Sequence, residues 1–95
     1  MTNPRQFTDI ERAAMEAASA IVRAEGGAPF LIEQFGLGKR AAFRIAGQQL
    51  PPPVGIAEDL ADHAEQAMFP GEQVAALRAF VAQRRTPKGG RDGQA

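Results

Sequence analysis

Apolar residues in this chain recur every three or four positions, and no stretch of strand length alternates apolar with polar. Ile10, Ala14, Ala17, Ala18, Ile21 and Val22 form one helical stripe. Ahead of it, Thr8-Asp9-Ile10-Glu11 has the form of a capping box, which predicts a helix start at Thr8. Gly26-Gly27 predicts its end, because glycine takes the left-handed conformation that helix C-termini favour. A short second helix is predicted from Pro29, whose missing N–H costs nothing in a first turn. It runs through Phe30, Leu31, Ile32 and Phe35 to a stop at Gly36. A third short helix fits Lys39–Ala46, closed by Gly47. Pro51-Pro52-Pro53 reads as a stiff extended connector. The fourth helix is expected to start near Pro53 or Val54 and to bury Ala57, Leu60, Ala61, Ala64 and Met68. Pro70-Gly71 breaks the pattern, and a fifth helix over about 72–85 carries Val74, Leu77, Phe80 and Val81 on one side. The expected fold is all-α, a compact bundle of about five short helices.

With 95 residues the chain has room for one domain, and a domain this small gains stability from a partner or a second copy. The pattern divides it into an N-terminal arm (1–7), a helical domain (8–85) and a glycine-rich, basic tail (86–95) expected to be disordered. Alanine makes up about a fifth of the residues, which favours helix. The absence of cysteine rules out disulfides and thiolate metal sites. No apolar run approaches the roughly 18 residues needed to span a bilayer, and the N-terminus does not read as a signal peptide. The expectation is a cytoplasmic protein without a membrane partner.

Charge changes the picture more than composition does. The formal net charge is zero, but the charges are sorted along the chain. Between Gln34 and Ala57 the charged residues are Lys39, Arg40 and Arg44, all positive. From Glu58 to Glu72 the formal charges are negative (Glu58, Asp59, Asp62, Glu65, Glu72). From Gln73 to Arg91 they are positive again (Arg78, Arg84, Arg85, Lys88, Arg91). A phosphate backbone responds to a local patch rather than to the sum.

The sorted charge meets a particular pair of helices. Over about 29–47 two helices of two turns each flank a tight corner, where Gly36 tolerates positive φ. Leu31, Phe35, Leu37 and Ile45 are expected to fill the core between them. Lys39, Arg40 and Arg44 fall on the side of the third helix facing away from Ala42 and Ile45. The segment resembles the Cro/repressor-type helix-turn-helix family of phage and plasmid regulators. That family's pattern reads leucine-alanine, two residues, leucine-glycine-valine-serine, then a recognition helix ending at glycine. Leu31, Phe35, Gly36, Leu37, Ile45 and Gly47 match in type and spacing, and Pro51–Pro53 followed by Ala57 and Leu60 resembles the family's continuation. Three positions depart from it: Ile32 stands for alanine, Ala42 for a β-branched residue, and Gly38 for the capping serine. Ile32 opposite Ala42 conserves summed volume, a swap that cores tolerate, and glycine caps only a few tenths of a kcal/mol worse than serine.

The resemblance implies a double-stranded DNA-binding transcriptional regulator, a repressor or activator, that reads the major groove with helix 39–46. Lys39, Arg40 and Arg44 are then the expected contacts to guanine edges or phosphates. Gln48 and Gln49 are secondary candidates, and in the family's register Phe43 points outward, placed to pack on a thymine methyl. Such proteins gain by binding two half-sites as a homodimer. The Val74, Leu77, Phe80 and Val81 face is the candidate two-fold contact. The alternative is a small helical protein-interaction module (adaptor, antitoxin-like or phage accessory) using the same surface on a protein partner.

Enzymatic readings find no footing. Ser19 is the only serine and lies in an apolar helix, and no phosphate-loop or dinucleotide pattern occurs. His63 with Asp59, Asp62 and Glu65 offers too few ligands from one helix to hold a metal. No cofactor is expected.

Overall fold

In the computed structural model the described residues are 7–85, and they form five α-helices joined by short connections: α1 (Asp9–Ala24), α2 (Ala28–Phe35), α3 (Lys39–Ala46), α4 (Val54–Gln66) and α5 (Gly71–Arg85). The expected N-terminal arm (1–7) apart from Phe7, and the expected tail (86–95) with Lys88 and Arg91, lie outside the described residues.

α1 starts with the predicted capping box. The Glu11 N–H donates to the Thr8 hydroxyl at 3.1 Å, and the Thr8 N–H donates to the Glu11 carboxylate at 2.8 Å. α1 is the hub against which each of the other four helices packs. Ala14, Ala17, Ala18, Ile21 and Val22 are buried there. The small side chains on this stripe let neighbouring helices approach closely, and bulk is supplied by Leu31, Ile45, Leu60, Leu77 and Phe80. α4 and α5 form the most extensive helix pair and close one side of the globule. α3 packs on α1 and α2 at another side.

Helix endings depart from the glycine rule in an instructive way. At α1, Gly26 takes φ +116° as expected. At α3, Gly47 has φ −88°, and the left-handed residue is Gln48 at φ +63°. The Gln48 and Gln49 N–H groups return to the Ile45 and Arg44 carbonyls, at 3.1 and 2.8 Å, which is the Schellman closure. α4 ends in the same manner at Met68, φ +65°. This residue, expected in the core, is 89% exposed. The left-handed step turns its side chain away from the helix face that Ala57, Leu60, Ala61 and Ala64 bury.

The face read as a dimer contact is also used differently. Leu77 and Phe80 are buried within the protomer, while Val74 and Val81 are half-buried against the same core. A 95-residue chain needs these side chains for its own interior, so Leu77 and Phe80 leave nothing for a second copy.

Candidate functional site

Two eight-residue helices, α2 and α3, are joined by Gly36, Leu37 and Gly38. Gly36 takes φ +69°, the left-handed conformation the corner required. Leu31 and Ile45 are completely buried, Ala42 lies beneath them, and Ile32, Phe35 and Leu37 are half-buried against this core. The inward face of α3 is therefore set by Ala42 and Ile45. Burying Ile45 stabilises the attachment by roughly 1.5–3 kcal/mol.

A second fastening comes from a residue whose role sequence reasoning missed. Ser19 of α1 is buried and donates its hydroxyl hydrogen to the Ala46 carbonyl at 2.7 Å. That carbonyl belongs to the last turn of α3, where helices lack internal donors. The bond crosses 27 residues of sequence. The only sequence signal was a lone serine in an alanine-rich apolar stripe.

With one face fixed, the other is exposed. At 3.6 residues per turn, Lys39, Phe43 and Gly47 form one row along α3, and Arg40 and Arg44 form the adjacent row. All five are exposed, and the Phe43 ring is 55% accessible. The side chains of Lys39, Arg40 and Arg44 make no ion pair or hydrogen bond among the described residues. Gln48 and Gln49 are exposed too, but the left-handed turn at Gln48 ends the helix before them. They follow the face rather than extend its rows.

The N-terminal end of α3 adds to this positive character. Its cap, Gly38, provides no side-chain acceptor, and the first turn holds no acid. Lys39 and Arg40 stand where the helix dipole is already positive, an arrangement unfavourable by a few tenths of a kcal/mol per charge.

The remaining basic residues of the helical domain's C-terminal half behave differently. Arg78 of α5 bonds Asp62 at 3.0 Å and Glu65 at 2.6 Å on α4. Arg84 reaches Glu11 of α1 at 2.7 Å, and Arg85 reaches Glu58 at 2.8 Å. Each arginine of α5 is thus closed by a carboxylate, and the acidic block of α4 is largely neutralised by α5. The cations of α3, like Arg23 of α1, have no carboxylate partner among the described residues, and on α3 three of them share one short helix.

Compared with known proteins, the chain matches no family model, no curated protein and no solved structure.

His63 completes the inventory. Its Nε2 lies 2.6 Å from a Glu25 carboxylate oxygen, and its ring packs 5.2 Å from that of Phe30. This contact ties α4 to the α1–α2 connection and braces α2 from behind. Among the described residues no three metal-ligating side chains gather. Also among the described residues, no helix is long and apolar enough to cross a membrane.

Proposed function

We propose that the protein is a sequence-specific, double-stranded DNA-binding transcriptional regulator of the phage, plasmid or mobile-element kind, with α2 and α3 as its helix-turn-helix. In this reading α3 lies in the major groove. The observation that carries it is the unpaired state of Lys39, Arg40 and Arg44 on one face of α3, set against the carboxylate-paired arginines of α5. A helix of 10–12 Å diameter fits a major groove about 12 Å wide. Cations held on such a helix can bond guanine edges or phosphate oxygens. The resemblance of 28–64 to Cro/repressor-type regulators supports the same reading. Two copies would span half-sites about 34 Å apart, through a contact other than the buried Leu77 and Phe80.

Binding to a short generic duplex, followed as salt is raised, tests the proposal. The expected affinity falls steeply between low and moderate salt as counterions are released. Replacing both Arg40→Ala and Arg44→Ala should abolish retention and reduce the salt slope by roughly one per cation removed. One observation favours a second reading. The exposed Phe43 ring, surrounded by charge, also suits a protein-interaction module. Absence of duplex binding at low salt would favour that module.

A further inference from the structure

α2 and α4 do not pack closely against each other, and a cleft of about 450 Å³ opens between them beside the C-terminal end of α1. It is lined by Glu25, Phe30, Gln34, Phe35, Asp59 and His63. Helical spacing produces this lining, because Phe30 and Gln34 stand one turn apart on α2, and Asp59 and His63 one turn apart on α4. The Phe30 and Phe35 rings meet edge to face with 5.5 Å between centroids, and the His63 ring lies 5.2 Å from that of Phe30. All three are half-buried, so part of each ring stays open to solvent. One Glu25 carboxylate oxygen engages His63 Nε2 at 2.6 Å, and the other has no partner among the described residues. Asp59 is the acid of the α4 block that no arginine closes. Glu58 holds Arg85, while Asp62 and Glu65 share Arg78. The Gln34 side chain also makes no hydrogen bond among the described residues. The cleft gathers aromatic faces, two carboxylates and an amide, and no lysine or arginine lines it.

We propose that this cleft receives the side chain of an arginine carried by a protein partner, a property that goes beyond the DNA-binding reading and does not rest on it. A cation is what the lining lacks and what its carboxylates attract. Ring faces draw a cation through their quadrupole, and a guanidinium brings a flat, weakly hydrated surface that stacks on them. Its five N–H donors lie in one plane, which leaves them available to Asp59, the second Glu25 oxygen and the Gln34 amide oxygen while a face rests on a ring. An ammonium is more strongly hydrated and does not stack. The rim selects a tethered group over a free small molecule. Gln34 and Asp59 are exposed there, whereas small-ligand pockets cover most of their occupant. A cleft open at that edge covers a guanidinium and leaves the chain that carries it outside.

The probe is a random-sequence peptide pool selected on the full chain. Enriched peptides should share an arginine, and replacing it by citrulline, its neutral isostere, should weaken binding about tenfold or more through loss of charge-assisted hydrogen bonds. Asp59→Asn should weaken the arginine peptide to a similar extent and leave the citrulline peptide unaffected. The variant should keep the helical circular dichroism, since Asp59 is exposed and its side chain makes no bond among the described residues. Amide NMR with the arginine peptide should shift Phe30, Gln34, Phe35, Asp59 and His63. Equal affinity for the arginine and citrulline forms, shifts confined to other faces, or a pool that enriches nothing would overturn the proposal. So would an arginine peptide that binds Asp59→Asn as tightly as the unsubstituted protein. Methylguanidinium chloride supplies the cation without a chain. Shifts at the same residues only at much higher concentration support the tethered occupant, and affinity equal to the peptide's would overturn it in favour of a small molecule. Failure in any arm leaves duplex binding, read separately from its salt dependence, untouched.

Discussion

Ser19 and Glu11 show how much depends on single side chains in a domain of this size. Ser19 is the buried polar residue among the described ones, and its hydroxyl holds the free end of α3 against α1. Ser19→Ala would leave the Ala46 carbonyl without its donor and should cost about 1–2 kcal/mol in urea unfolding. A change below a few tenths would show that the α3 end is held by packing alone. The Glu11 carboxyl is shifted below its ordinary value of 4.5, chiefly by the Thr8 backbone N–H and further by Arg84, against an opposing contribution from burial. A lowered folded-state pKa means that the ionised form stabilises the fold above the ordinary value, and that this stability is lost as pH falls through the lowered one. Glu11→Gln should therefore lower the Tm at neutral pH, and the gap to the unsubstituted protein should narrow as the solution is acidified towards pH 3. A gap that stays constant would contradict the linkage. The capping box was legible because both partners lie within one turn. The Ser19 bond was not, because its acceptor is placed by tertiary packing.

At the scale of elements, local signals served where the physics is local. Gly36 marked the corner, Pro29 the start of α2, and the apolar spacing located all five helices. Gln48 and Met68 escaped because a left-handed residue other than glycine carries no sequence mark. The helix ends there because the chain must turn, at a cost of about 1–2 kcal/mol. α3 itself carries a conflict between stability and the proposed function. Its N-terminal end is positive, uncapped and free of acid. Gly38→Asp has open space for its side chain and an extended backbone that suits a cap. It should raise stability by about 0.5–1 kcal/mol through capping and the helix dipole. The same carboxylate beside Lys39 and Arg40 should weaken duplex binding. Rising Tm with falling affinity is the expected pair of results, and affinity that rises or stays level would contradict the proposed contact of Lys39 and Arg40 with DNA.

Across the whole molecule, the charge blocks were visible in the sequence while their pairing was not. The acidic run of α4 and the basic residues of α5 neutralise one another, and Glu11 takes up Arg84. Only three-dimensional packing separates these structural charges from Lys39, Arg40 and Arg44, although all appear in the sequence as basic residues. The same packing takes Leu77 and Phe80 into the interior, where the sequence suggested a surface. In a chain with so little bulk outside alanine, large apolar side chains are needed for the core first. In the proposed reading α3 is the working surface and α4 and α5 support it. Amide NMR of the full chain, titrated with a short generic duplex at low salt, tests this directly. The largest shifts should fall on the α2–α3 corner and along α3, at Lys39, Arg40, Phe43 and Arg44, with the α4–α5 side nearly unchanged. Shifts concentrated on α4 and α5, or none anywhere, would contradict it.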